Sequence, residues 1–245
     1  MTWKLLGLLL LLLVGLHCVT RDARSGRSPG PLAVEKRAPE TSKPDPEGNP
    51  RPVRKLRILC LHGYHGNSEI LRGQMRSLMA GLESRVELVY LDAPSLSEGD
   101  YGWWHAVSQE STRGGDDSGV GHAQMRYEGW ERTRKAIVAA FEERGPFDGV
   151  FGFSQGAVLT GLLVGLRAPG GVPTPEQPLT FDFAILVSGF VSNDPAHAPL
   201  YARRASYALP SLHIVGRSDG VVPSRDSRPS INACIWPRRT SLLPW

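Results

Sequence analysis

The sequence has 245 residues, of which 41% are apolar, and a formal charge of +4, which suits one α/β domain of ordinary size with additional sequence. The positive charge belongs to residues 19–57, where Lys and Arg exceed Asp and Glu by five; with Lys4 set aside as well, residues 58–245 carry −2. This distribution gives no reason to expect a nucleic-acid-binding surface on the folded part. The three cysteines form neither a disulfide framework nor a metal-ligand pattern. We therefore expect no nucleic-acid partner, no metal and no cofactor.

The N-terminus carries an apolar run. Lys4 precedes Leu5–Leu16, a run too short to span a bilayer, for which about 20 residues are usual. It is typical of the apolar region of a secretory signal peptide, and a signal anchor is the alternative. Residues 1–20 are therefore predicted to direct the chain to the secretory pathway or to anchor it in a membrane. Residues 5–16 would make the only membrane contact, and only if they are retained.

The next segment differs sharply in composition. Residues 21–55 are dominated by Arg, Pro, Ser, Glu and Gly and contain few aliphatic side chains. Such a segment buries too little apolar surface to offset the entropy lost on ordering. We expect a disordered linker at residues 21–55, a folded domain at 56–227 and an atypical tail at 228–245.

From residue 56, short apolar runs alternate with segments of helical spacing. The predicted strands are Leu56–Leu61, Val86–Leu91, Phe147–Phe153, Phe183–Ser188 and Leu212–Val215, and the predicted helices are Ser68–Leu82, Met125–Phe141 and Ala157–Leu166. This alternation indicates an α/β fold with a mostly parallel sheet and helices on both faces. Residues 94–121 and 189–209 interrupt the alternation after strand ends, where such sheets build their sites.

The strongest motif is the pentapeptide Gly152-Phe153-Ser154-Gln155-Gly156, a G-x-S-x-G pattern. A predicted strand precedes it and an apolar helix follows it, which is the context of a nucleophile elbow. The pattern predicts Ser154 as the nucleophile of a serine hydrolase. A glycine-rich strand-to-helix turn with an incidental serine is the alternative.

The loop after the first predicted strand reads HGYHGN. In a fold with this elbow, such a loop donates one backbone N–H to the oxyanion hole, and the residue after the nucleophile donates the other. We therefore expect Tyr64 and Gln155 to be the donors. A glycine-rich turn with a capping Asn67 is the alternative. No carboxylate stands at metal-ligand spacing from His62 and His65.

An acidic residue follows the last predicted strand. Asp219 lies in GRSDGVVP, where the acid of a Ser…Asp…His triad belongs. It would orient the imidazole and stabilise the imidazolium ion. Ordinary turn chemistry of an Asp-Gly pair is the alternative.

Taken together, the segments ILCLHGYHGN, VYLDAP, GPFDGVFGFSQGA and LHIVGRSDGVVP and the Trp103-Trp104 pair resemble the family of small serine hydrolases that includes the human ovarian-cancer-associated hydrolase and its yeast relatives. The resemblance implies an α/β-hydrolase with Ser154 as nucleophile and Asp219 as triad acid. It implies a small-molecule acyl ester or thioester substrate and, as the alternative localisation, the cytoplasm. Trp103, Trp104 and Phe190 are candidates to line an acyl pocket, with ordinary core or lid packing as the alternative.

The sequence departs from the family after Asp219, where a catalytic histidine is expected. Every histidine precedes Asp219: His17, His62, His65, His105, His122, His197 and His213. The tail shows no strand or helix pattern, so we expect the last strand and helix of the fold to be missing. Two functions remain: hydrolysis of carboxylic esters or thioesters through an acyl-serine, or a catalytically impaired member or truncated isoform that binds ligands or has no function.

The apolar run gives a testable localisation. A protein of residues 1–245 should enter the secretory pathway or a membrane fraction, whereas a version that starts at Arg54 should not, because it lacks the run. Fractionation of cells that express each version with a C-terminal tag measures this. Equal cytosolic recovery of both versions would show that the run is no targeting signal.

Overall fold

A computed structural model of the chain describes residues 54–99, 102–108, 125–203, 205–216, 219, 221–222 and 240–244. The predicted signal segment, residues 21–53 of the predicted linker and most of the tail lie outside these ranges. In the described part of the chain, no helix is long and apolar enough to cross a membrane.

A six-stranded, wholly parallel sheet forms the centre of the fold. Its strands are β1 (Leu56–Leu61), β2 (Val86–Leu91), β5 (Gly149–Phe153), β6 (Phe183–Val187), β7 (Ser211–Val215) and β8 (Thr240–Pro244). Their spatial order is β2-β1-β5-β6-β7-β8. A separate antiparallel pair joins β3 (His105–Ser108) to β4 (Met125–Glu128). The helices are α1 (Ser68–Met79), α2 (Trp130–Arg144), α3 (Gln155–Gly165) and the short α4 (Ala198–Tyr201).

Side chains of β1 alternate between two hydrophobic clusters, one on each face of the sheet. Ile58 and Cys60 join the cluster that contains the buried residues of α1, whereas Leu59 and Leu61 join the cluster of α2 and α3. Alternation follows from the two-residue period of a strand. The sheet is therefore covered on both faces, as the sequence predicts.

Helix α3 is buried along its whole length after Gln155. On one side it packs against β5 and β6, and on the other against the segment that follows β6. The Tyr207 hydroxyl donates a hydrogen bond of 2.8 Å to the Gly161 carbonyl, and a Cβ at Gly165 would lie 2.8 Å from the Leu200 Cβ. Because protein covers α3 on both sides, this helix has no polar face.

The predicted helix Met125–Phe141 is wrong in its first part. Residues Met125–Glu128 form strand β4, and α2 begins at Trp130. Gly129 separates the two elements because its φ of 94° lies in the left-handed region, which interrupts a helix. The backbone of β4 is held by remote groups: the Tyr127 N–H donates to the Asp194 carboxylate at 2.7 Å.

The tail also differs from the prediction. Residues Thr240–Pro244, expected to form no strand, pair in parallel with β7 as β8. The expected absence of a last helix concerns residues that the structure does not describe. Strand β8 is an edge of the sheet and extends it by one strand beyond those that the sequence pattern indicates.

Two polar side chains of β7, Ser211 and His213, are buried with a polar atom that has no hydrogen-bond partner in the described part of the chain. His213 is 3% exposed, and within the described part of the chain its Nε2 has no hydrogen-bond partner. Burial disfavours the charged imidazolium and lowers the pKa of His213 to about 4. Its ordinary value is 6.5, so the unfolded chain binds a proton between pH 6.5 and 4 that the folded chain does not.

This difference predicts a pH-dependent stability. His213 leaves the free energy of unfolding unchanged above pH 6.5 and lowers it as the pH falls from 6.5 to 4, by about 2 kcal/mol at pH 5. His213→Leu should remove this loss, because leucine binds no proton. Urea denaturation at pH 7 and pH 5 measures it, with His105→Gln on the exposed part of β3 as control. The same loss in wild type and His213→Leu would contradict the assignment.

Candidate active site

The turn between β5 and α3 holds Ser154 in a strained backbone conformation. Ser154 has φ 53° and ψ −119°, which non-glycine residues rarely adopt and which concentrates at functional sites. Its N–H donates to the carbonyl of Val187 at the end of β6, at 2.9 Å. Serine at a helix N-cap usually bonds an amide of the first turn, but the Ser154 side chain makes no such bond. Its hydroxyl is therefore not used to cap α3.

Two glycines allow this turn to form. A Cβ at Gly152 would lie 2.1 Å from the Gly156 carbonyl oxygen, and a Cβ at Gly156 would lie 2.3 Å from the Leu61 carbonyl oxygen. These distances are far below contact distance and involve backbone, which cannot move aside. The first turn of α3 therefore lies directly against the end of β1, and the positive end of the helix dipole lies beside Ser154.

The loop after β1 passes beside Ser154. A Cβ at Gly63 would lie 3.2 Å from the Ser154 Cβ and 3.1 Å from the Phe153 ring. Tyr64 follows directly, and its side chain is 46% exposed. The loop is thus next to Ser154, as an oxyanion donor requires, and the roles of the Tyr64 and Gln155 amides stay predictions.

The Gln155 side chain ties the elbow to the Trp103-Trp104 segment. Its Oε1 accepts from the Trp103 N–H at 2.9 Å and its Nε2 donates to the Trp104 carbonyl at 3.0 Å. A Cβ at Gly102 would meet both the Tyr64 ring, at 2.9 Å, and the Gln155 Oε1, at 3.0 Å. The side chains of the two predicted oxyanion donors therefore meet at Gly102, a contact that the pentapeptide pattern does not reveal.

Both tryptophans are core residues in the structure. Trp103 is 1% exposed and Trp104 3% exposed, and Trp104 stacks on Tyr127 with ring centroids 4.7 Å apart. Phe190 is only partly buried and packs against the same cluster. This burial agrees with the packing alternative for the tryptophans, and pocket lining by any of the three stays a prediction.

His62 has a structural task. Its Nε2 accepts from the Ala93 N–H at 3.1 Å, and its Nδ1 lies 2.8 Å from the Gly63 carbonyl, to which it donates in this tautomer. Burial is the main reason that its pKa lies below the ordinary value. The Trp103 indole N–H donates to the His62 carbonyl at 2.8 Å. Because both ring nitrogens are engaged, His62 holds the loop and is not placed as a base.

The carboxylate of Asp219 is held by three donors. Oδ1 accepts from the N–H groups of Val221 and Val222 at 3.0 and 2.9 Å, and Oδ2 accepts from the Ser188 hydroxyl at 2.9 Å. Burial alone would raise the pKa of Asp219, but these hydrogen bonds outweigh it and lower the pKa below its usual value. Sequence reasoning missed Ser188, whose only signal is its place between a strand and Gly189.

The structure describes five histidines, His62, His65, His105, His197 and His213. In the described part of the chain, the donors to the Asp219 carboxylate are Ser188, Val221 and Val222. Both ring nitrogens of His62 are bonded to main-chain groups. His213 lies buried within β7, and the Nδ1 of the buried His197 lies 2.8 Å from the Ser192 hydroxyl oxygen. The described residues therefore place the Ser154 turn, the loop beside it and the hydrogen-bonded Asp219 carboxylate at the edge of the sheet where the parallel strands end. They also contain no cluster of His, Cys, Asp or Glu that could hold a metal ion.

The parallel sheet, the strained serine between β5 and α3 and the carboxylate after β7 define an α/β-hydrolase. The chain belongs to the serine hydrolase (FSH1) family, which matches residues 52–240. This confirms the family resemblance and the fold class that the sequence indicates.

Individual relatives agree with this assignment. The esterase OVCA2 of Danio rerio is 34% identical over 195 residues, which cover 71% of this chain and 81% of that protein. The esterase OVCA2 of Xenopus tropicalis is 31% identical over 191 residues, which cover 71% of this chain and 78% of that protein. Among solved structures, esterase PE8 is similar in fold, with a TM-score of 0.54 at 23% identity over 78% of this chain and 84% of that one.

The contact between α3 and β1 predicts that one methyl group added at Gly156 strongly destabilises the fold. Gly156→Ala should lower the free energy of unfolding by about 3 kcal/mol, because its Cβ would collide with the backbone of Leu61 and His62. Gly73→Ala is the matched control: nothing lies within 4 Å of its Cβ in α1, and it should stabilise the helix by about 0.5–1 kcal/mol. Urea denaturation at pH 7 compares the two, and equal midpoints would refute this reading of the elbow.

Proposed function

We propose that this chain is a hydrolase of carboxylic esters or thioesters that works through an acyl-serine at Ser154. The observation that carries the proposal is the strained, uncapped Ser154 at the strand–helix junction of a chain that belongs to a serine hydrolase family. Its substrate is a small-molecule acyl ester or thioester. The names of the curated esterases that it resembles support the same reaction class.

The proposed reaction has two halves. A general base takes the proton of the Ser154 hydroxyl, and Oγ attacks the acyl carbon to form a tetrahedral intermediate. The N–H groups of Tyr64 and Gln155 stabilise its oxyanion, assisted by the dipole of α3. The intermediate collapses, and the protonated base gives its proton to the departing alcohol or thiol. Water then attacks the acyl-serine by the same route and releases the acid.

The support for each part comes from the residue contacts. The close approach of Gly63 to Ser154 supports an oxyanion role for the loop, and the tether from Gln155 to the Trp103-Trp104 segment supports a rigid hole. The hydrogen bonds to Asp219 keep its carboxylate ionised, as a triad acid must be to stabilise an imidazolium.

A second candidate function follows from the histidines. Among the described residues, the donors to the Asp219 carboxylate are Ser188, Val221 and Val222, so no histidine is among them. Loss of the base can cost about 10⁶ in kcat. A protein of these residues would then bind acyl ligands and hydrolyse them very slowly, since the oxyanion hole and substrate binding alone retain about 10³–10⁴ over water.

A fluorophosphonate probe separates these functions. Ser154 should react slowly in a protein of residues 1–245, because a serine hydroxyl without a base is a weak nucleophile at neutral pH. Free imidazole, supplied as an external base that Asp219 can orient, should increase the labelling rate about 10²-fold or more. Gel fluorescence over time, with and without imidazole, measures the rate.

Two variants serve as controls. Ser154→Ala should abolish labelling, and Asp219→Asn should remove most of the imidazole effect while the protein remains folded. Rapid Ser154-dependent labelling without imidazole would eliminate the second candidate, and single substitutions of the histidines would then identify the base. No labelling under either condition in folded protein would overturn the hydrolase proposal.

A further inference from the structure

The backbone at the end of β6 is as unusual as that of the nucleophile. Ser188 has φ 51°, and the described part of the chain contains just two other non-glycine residues with positive φ, His65 and Ser154. His65 follows β1, Ser154 follows β5 and Ser188 follows β6. All three therefore lie at the edge of the sheet where parallel strands end, which is the edge that carries the site.

This conformation favours glycine at position 188. With a side chain, a left-handed backbone brings Cβ close to a carbonyl oxygen, which costs free energy in any non-glycine residue. The Ser188 N–H nevertheless stays in line with the sheet, because it donates to the Ile214 carbonyl of β7 at 2.9 Å. A serine in such a place needs a compensating contact, since glycine would satisfy the backbone without strain.

The side chain of Ser188 makes that contact. It is 4% exposed, and its hydroxyl donates to Oδ2 of Asp219 at 2.9 Å across 31 positions of sequence. Val221 and Val222 donate to Oδ1 from Asp219's own turn. Ser188 thus supplies the one donor in this set that comes from a different strand end, and it fixes the carboxylate relative to β6.

The position of the contact matters for a triad. A carboxylate oxygen accepts two hydrogen bonds, so Oδ2 keeps one lone pair for an imidazole N–H when Ser188 occupies the other. β6 lies between the strands that precede the nucleophile and the acid. The residue that anchors the acid therefore stands directly beside the strand of the elbow.

We infer that Ser188 is a positioning residue for Asp219: its strained backbone is retained because its hydroxyl orients the carboxylate toward the base. This inference rests on the proposed role of Asp219 as triad acid. It adds Ser188 as a fourth residue to the proposed nucleophile, acid and base. Ser188 acts through its bond to Asp219, so its effect on the reaction is indirect.

Two substitutions separate orientation from stability. Ser188→Gly relieves the backbone strain and removes the hydroxyl, whereas Ser188→Ala keeps the strain and removes the hydroxyl. Ser188→Gly should therefore unfold at a higher urea concentration than Ser188→Ala. Both should raise the pKa of Asp219, because each loses a donor to the charged form. Carbon-13 NMR titration of the Asp219 carboxyl, assigned by its absence in Asp219→Asn, measures this in the full chain.

The labelling rate gives the second readout. The imidazole-assisted reaction of Ser154 with the fluorophosphonate should fall about tenfold in both variants, which corresponds to the loss of one hydrogen bond to a charged group. Ser206→Ala is the matched control: Ser206 is also buried and its hydroxyl donates to the Arg167 carbonyl. It should lower stability without a change in the pKa of Asp219.

The outcomes distinguish this inference from the proposed function. An unchanged Asp219 pKa in both Ser188 variants, or wild-type labelling by Ser188→Gly, would overturn the positioning role. If Asp219→Asn instead leaves the labelling rate unchanged, the role of Asp219 as triad acid fails, whereas the titration still reports whether Ser188 contacts it.

Discussion

The absence of a side chain at Gly156 is the constraint on which the site depends. The first turn of α3 approaches the Leu61 carbonyl so closely that a Cβ would come within 2.3 Å of its oxygen. This approach sets the distance between the β5–α3 turn and the loop after β1. It brings Gly63 against the Ser154 side chain, and it lets the end of the helix dipole act where negative charge would develop. The geometry beside Ser154 therefore follows from backbone packing.

Around this contact, polar groups are used mainly to hold backbone. Both ring nitrogens of His62 bond main-chain groups, and the side-chain amide of Gln155 bonds the main chain of Trp103 and Trp104. These hydrogen bonds satisfy polar main-chain groups whose burial without a partner would lower the stability of the fold. Because both of its ring nitrogens are engaged in this way, His62 is not placed as a base. Asp219 differs, because the groups that bind it favour its charged form.

Local features of the sequence predicted most of the fold and the centre of the site. Four of the predicted strands match within a residue at each end, because buried parallel strands are short apolar runs, and Ser154 could be found because an elbow is contiguous in sequence. The features that the sequence did not predict depend on partners that are distant in sequence. Residues Met125–Glu128 are a strand because β3 and Asp194 engage their backbone. Thr240–Pro244 form one by pairing with β7. The bond from Ser188 to Asp219 spans 31 positions, which no local pattern reveals.

The stacking of Trp104 has a consequence for attempts to redesign this protein. Trp104 packs on Tyr127 and, edge to face, on Trp130, while its carbonyl accepts the amide proton of Gln155. Replacing it with a smaller side chain would loosen the β3–β4 pair, the start of α2 and the segment bonded to Gln155 together. Phe190 is only partly buried at the margin of the same cluster, so a substitution there would disturb less of the packing. Trp104 therefore behaves as part of the scaffold, and a cavity is more readily enlarged elsewhere.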